Sequence, residues 1–293
     1  MTRHMIILVA ALLALVCGTT SKANTVMGAN TAAPGIATQA EAQKVPVMVT
    51  WDYRAEAKTL LVHATNNSGK DIDAYFISVR RKLPDGTFDK SGYSGQLSEQ
   101  MLTLASIQMA TDPTAYERRL QESGVGLFNA GATRDISVAN IDSADVNVVV
   151  DVAFYADGTF DEQNEDQFKR MLGRRQSQLL AMKKVNEIVR AALADASNDH
   201  PTKAAITELA KAAAESMAHN PDGPYDVESS EVGFLQAGIS NMRMVQRTAA
   251  QNIGAPSEKD KTERERLTLF VEKQEKQVEL ITPQCHLEIT LNQ

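Results

Sequence analysis

Apolar and polar residues alternate most clearly at 144–160, where Val146, Val148, Val150, Val152 and Phe154 are interleaved with Asn147, Val149, Asp151, Ala153 and Tyr155. A pleated strand sends successive side chains to opposite faces, so the spacing predicts a strand with the first five buried together. The second set is mixed and suits a partly solvated antiparallel face. Asp157-Gly158 breaks the period, because Gly accepts the positive φ of a tight turn. Upstream, period two recurs. Val47, Val49, Trp51 and Tyr53 mark a first strand, Leu60, Val62 and Ala64 a second over 58–65, and Tyr75, Ile77 and Val79 a third over 71–83. The Asn-rich turn 66–70 and the Pro84-Asp85-Gly86 turn separate them. After Asn129-Ala130-Gly131, Ile136 and Val138 point inward from a short strand over 133–139.

The strand pattern lapses between Ser94 and Gly124. Leu97, Met101, Leu104 and Gln108 predict a helix started at Ser98, and Asp112-Pro113 supplies an N-cap and a proline at the first helical position for a second one. The expectation is a helical insertion at 94–124 between two strands, serving as a binding surface or as a cap over a sheet end.

Beyond Asp161 the period becomes helical. Phe168, Leu172, Leu179, Met182, Val185, Val189 and Leu193 form one stripe of a helix over 165–196, about 50 Å long at the standard rise. Ile206, Leu209, Ala213 and Met217 mark a second helix over 201–219, ended by the breakers at 220–224. Val232, Leu235, Ile239, Met242, Val245 and Ala249 mark a third, stopped by Gly254 and Pro256. A fourth carries Leu267, Phe270, Val271, Val278 and Ile281, with Ser257 as its cap and Glu258, Asp260 and Glu263 near its positive end. After Pro283, Cys285, Leu287, Ile289 and Leu291 return to period two and predict a last strand over 284–293 that rejoins the sheet.

Residues 60–88, LLVHATNNSGKDIDAYFISVRRKLPDGTF, resemble FxLYD-type and related immunoglobulin-like domains of exported bacterial proteins. The resemblance implies an antiparallel immunoglobulin-like β-sandwich over 45–160 and an interaction module, and it implies no catalytic residue.

The first residues add a compartment. An apolar run from Met5 to Cys17 follows Arg3 and precedes Ser21-Lys22-Ala23, whose small residues suit signal peptidase. The expectation is a cleaved signal at 1–23, a disordered linker at 24–44 rich in Ala, Thr, Gly and Gln, and a periplasmic or secreted protein. Lipid attachment at Cys17 is disfavoured by Leu15 and Val16, which stand where small residues are needed. Cleavage removes Arg3 and Lys22 and no acid, taking the formal charge from −7 to −9. Such an acidic chain is not built to hold nucleic acid or anionic lipid. Cys285 would be the one cysteine left, so an intrachain disulfide is excluded; its bland role is a buried thiol. No later apolar run approaches the ~20 residues of a membrane helix.

Candidate chemistry changes the picture little. Gly92-Tyr93-Ser94-Gly95-Gln96 lacks the second glycine of a nucleophile elbow. His63, His200, His219 and His286 have no partner at metal-ligand spacing. The acids from Asp157 to Asp166 fail as an EF-hand loop, since Glu162 replaces the turn glycine and Phe168 the bidentate Glu. DGTFD occurs twice, at 85–89 and 157–161, as two similar turns would require. Trp51 reads as a core anchor. No catalytic, cofactor or metal residue is assigned. The expectation is an exported, non-catalytic interaction or envelope structural protein of the α+β class, its partner another protein or a second copy meeting its helical faces. The alternative is an exported hydrolase whose site is assembled from residues distant in sequence.

Overall fold

A computed structural model describes residues 44–89, 94–101, 114, 118, 126–219, 227–252 and 260–289. The expected signal at 1–23 and the expected linker up to 43 lie outside them. Among the described residues the chain is α+β, with seven strands and four helices. The strands are β1 (Val47–Arg54), β2 (Thr59–Asn66), β3 (Ile72–Arg81), β4 (Ser94–Glu99), β5 (Thr133–Ala139), β6 (Val146–Tyr155) and β7 (Phe160–Glu162). The helices are α1 (Glu165–Ala194), α2 (Pro201–His219), α3 (Val227–Ala250) and α4 (Glu263–Ile281). The chain divides into two compact units between Met171 and Leu172.

In the first unit every strand pair is antiparallel, in one sheet of order β1-β2-β5 and another of order β4-β3-β6-β7. One apolar cluster draws on both sheets, including Val49 and Trp51 of β1, Leu60 and Val62 of β2, Ile77 of β3 and Val148 of β6. Ser94–Glu99 is strand, where the helical period predicted the start of an insertion. Its register against β3, Ala74↔Glu99 to Val79↔Ser94, gives this stretch cross-strand partners that outweigh its local helical spacing. Met101, Thr114 and Arg118 are helical, and the rest of the insertion expected up to 124 lies outside the described residues.

The alternation in β6 is interrupted. Ile77 pairs with Val150 and Phe76 with Val152, so Asp151 is an extra residue, a β-bulge; Asp73 is the extra residue of β3 between the Ile72↔Tyr155 and Ala74↔Phe154 pairs. A bulge shifts the phase of a strand. Val146, Val148 and Val150, then Ala153 and Tyr155, therefore face the shared core. Phe154 faces the other way, stacked on Phe168 at 5.7 Å and near Phe160 at 5.9 Å. The expectation that Val146 through Phe154 share one face, with the opposite face partly solvated, is corrected on both counts. β6 lies between β3 and β7, and nine of its ten residues are buried.

In the second unit all four helices contribute to one core, including Val185 and Val189 of α1, Leu209 of α2, Ile239 of α3 and Leu267 of α4. The polar side of α1 is less exposed than its stripe predicts, since Arg175, Gln178 and Asn186 are buried. Residues after α4 explain part of this. Thr282–Cys285 form a 3-10 turn with Pro283 at its start, and His286 is left-handed. Arg175 donates to the Gln284 carbonyl, and Gln176 Nε2 donates to the carbonyls of His286 and Ile289 at 3.0 and 3.1 Å. The strand expected over 284–293 is thus corrected for 284–289, which forms turns tied to α1; 290–293 lie outside the described residues.

The first turn of α4 serves three helix ends. Thr262 is its own N-cap, closed into a capping box with Glu265, and this replaces the expected Ser257, which lies outside the described residues. Glu263 Oε1 accepts the Thr202 backbone N–H at 2.9 Å and the Thr202 hydroxyl, occupying donors at the start of α2. Arg264 donates to the carbonyls of Leu193, Asp195 and Asn198, at and after the end of α1. Losing a side-chain cap costs about 1 kcal/mol. Glu263→Ala is expected to lower the thermal midpoint of the helical far-UV circular dichroism signal accordingly, whereas Glu263→Gln, which keeps an acceptor, retains most of it.

Candidate functional site

Alternation on β1 and β2 turns Val49, Trp51, Leu60 and Val62 inward and leaves Thr50, Asp52, Leu61 and His63 on the outer face of the three-stranded sheet. The register then sets Thr50, His63 and Asp135 side by side across β1, β2 and β5, with Asp52 one diagonal step away opposite Leu61. His63 Nδ1 lies 2.7 Å from Asp135 Oδ1, and Nε2 lies 3.3 Å from Asp52 Oδ2. The His63 side chain is 32% exposed. Its pKa is raised above the ordinary imidazole value, chiefly by the Asp135 hydrogen bond and further by Asp52, against an opposing burial effect. Thr65 and Thr133 add a hydroxyl pair at 2.9 Å on the same face. This is a polar cross-strand cluster in which one imidazole bridges side chains of all three strands; among the described residues no serine, cysteine or threonine is hydrogen-bonded to that ring.

A second polar group lines a shallow cleft of about 290 Å³ that includes Ser68, Lys70, Tyr155, Thr159 and Asp161. Lys70 Nζ is 2.9 Å from Asp157 Oδ2, donates to Thr159 Oγ1 at 2.8 Å and sits over the Tyr155 ring. Tyr155 donates its hydroxyl to Asp161 Oδ2 at 2.6 Å. Burial, then that carboxylate, pushes the phenol pKa up. The Thr159 hydroxyl, then Lys70, pulls Asp157 down to about 2. These groups satisfy one another and hold the β6–β7 hairpin closed.

The two DGTFD segments do make the same turn. Asp85 Oδ1 accepts from Thr87 N and Oγ1, and Asp157 Oδ1 from Thr159 N and Oγ1; Gly86 and Gly158 have φ of 86° and 82°.

A third cluster is closed to solvent. The bulge at Asp151 aims its carboxylate at Arg80 Nη2, 2.6 Å away, and at the Ser78 hydroxyl; the two charged side chains are 8% and 0% exposed. Ser78 and Arg80 alternate with the core-facing Ile77 and Val79, so the pair ties β3 to the bulge of β6 on the face turned away from the shared core.

The remaining singled-out residues are dispersed. His200 is exposed ahead of α2, His219 ends that helix, and His286 meets Glu288 at 3.0 Å in the final turn. Ser94 opens β4, with Gly92 and Tyr93 outside the described residues. Cys285 is buried, its thiol against the backbone carbonyls of Ile281 and Arg175. Trp51 is a core residue. Among the described residues no three His, Cys, Asp or Glu side chains are grouped to hold a metal ion, and no helix is long and apolar enough to cross a membrane. Sequence reading missed the Asp52–His63–Asp135 cluster. Period two places Asp52 and His63 on outward faces, but β5 joins β2 across a separation of 72 residues between His63 and Asp135 that no local pattern spans.

No family model, no curated protein and no solved structure matches this chain.

Proposed function

We propose that the chain is an exported, non-catalytic protein-interaction or envelope structural protein, with an immunoglobulin-like sandwich as its recognition module. The observation that carries this reading is the strand order. β1-β2-β5 against β4-β3-β6-β7 reads as A-B-E against C′-C-F-G, the immunoglobulin-type arrangement in which the fourth strand joins the C-F-G sheet. Such sandwiches present function on exposed faces and end loops of a rigid core. The outer face of β1-β2-β5 carries Met48, which is 55% exposed, and the polar Thr50, Asp135 and Ser137 further along it. Export is supported by the apolar run from Met5 to Cys17 and by Ser21-Lys22-Ala23. Self-association is the second form of the reading, favoured by Leu180 of α1 and Met217 of α2, which are 56% and 62% exposed.

The test is photo-crosslinking in the intact envelope, with a benzophenone amino acid at Met48, Ser137, Leu180 or Met217. A discrete adduct from one face and not the others is expected, and its mass separates a partner from a second copy. No adduct from any position, or turnover of model ester, phosphate or glycoside substrates that His63→Ala removes, overturns the reading.

A further inference from the structure

We propose that Asp52, His63 and Asp135 form a proton-dependent clasp that joins all three strands of the β1-β2-β5 sheet and loosens its outer face when His63 gives up its second ring proton. The geometry carries this. Both ring nitrogens of one imidazole lie within hydrogen-bonding distance of a carboxylate, at 2.7 Å to Asp135 and 3.3 Å to Asp52. A carboxylate only accepts, so each contact needs an N–H on the ring. Neutral imidazole has one N–H and one lone pair. It satisfies one aspartate and turns its lone pair to the other, so both contacts together belong to imidazolium.

The strands make this more than a surface ion pair. His63 is on the central strand, Asp52 on one neighbour and Asp135 on the other, so a single proton decides whether β1 and β5 are both pinned to β2 through side chains. From β1 the groups facing His63 are Thr50 and Asp52, with Arg54 further along the same face; from β5 it is Asp135, flanked by Thr133 and Ser137. The two carboxylates outnumber the one cation. Deprotonation leaves the shorter Asp135 contact and releases Asp52, the longer one, changing charge and shape on the face assigned above to recognition.

The direction of the pH effect follows from linkage. His63 has a higher pKa folded than unfolded, so the clasp's contribution is fully present below ~6.5 and is lost as pH rises through the folded value.

The experiment is a pH titration of the His63 ring nitrogens by heteronuclear NMR on the folded chain, with Asp52→Asn and Asp135→Asn as variants. The Asp52 and Asp135 side chains are 48% and 64% exposed, so both variants are expected to fold. The wild-type midpoint is expected above 6.5, with both nitrogens protonated below it. Each variant shifts the midpoint down, Asp135→Asn further than Asp52→Asn. As a second readout, His63→Gln lowers the thermal midpoint about one unit below the ordinary imidazole pKa and leaves it unchanged about two units above it. A midpoint at or below 6.5, a midpoint that neither variant moves, or an equal thermal loss at both pH values overturns the clasp. None of these results bears on envelope crosslinking, so the clasp and the interaction reading fail separately.

Discussion

Asp151→Ala is expected to lower the stability of the sheet unit by about 3–5 kcal/mol, the cost of removing one partner from a buried ion pair. Asp151 accepts from Arg80 Nη2 at 2.6 Å and from the Ser78 hydroxyl, and all three residues are buried on β3 and β6. The Ala variant leaves the guanidinium away from water without this carboxylate, which costs far more than the small carboxyl volume lost. Trp51, the single tryptophan, sits in the core shared by both sheets, so the denaturant midpoint of its fluorescence reports this unit. The double variant Asp151→Val with Arg80→Met is expected to recover most of the loss, because replacing both charges by apolar groups of similar size is often close to neutral. An Ala variant within about 0.5 kcal/mol of wild type would show that the pair contributes nothing.

Gly238→Val, in α3, is expected to destabilise the helical unit by about 1–3 kcal/mol through overpacking. A Cβ at Gly238 would stand 2.9 Å from Val185 Cγ2 and 3.6 Å from Leu209 Cδ1. Val185 is buried and β-branched, so its methyl groups cannot swing aside. Gly233, five residues earlier on the same helix, supplies the control. Nothing lies within 4 Å of a Cβ there, so Gly233→Ala is expected to stabilise by about 0.5–1 kcal/mol through helix propensity alone. The thermal midpoint of the helical circular dichroism signal measures both. Opposite signs for two glycine substitutions on one helix separate packing from propensity; equal signs would refute the close approach of α3 to α1.

Local spacing was sufficient for most elements. β5 at Thr133–Ala139 and α2 at Pro201–His219 match the residues read from the sequence, and α1 starts where expected and ends two residues early. Period and turn chemistry are properties of neighbouring residues, and where a strong period also agrees with burial nothing else competes. The misreadings fall where a distant partner outweighs a local preference. Ser94–Glu99 gains a ladder against β3, Asp151 bulges between β3 and β7, and Cys285 is drawn into a turn against α1.

Residue order alone established the α+β class, the antiparallel character of the strands, the four amphipathic helices and Trp51 as a core residue, since each follows from side-chain periodicity over a few turns or pleats. The fold in three dimensions settled which strands neighbour one another, which face Phe154 takes, that Glu263 and Arg264 terminate helices other than their own, and that His63 lies between two aspartates. His63 is 11 positions from Asp52 and 72 from Asp135, and only strand pairing brings such residues within hydrogen-bonding distance.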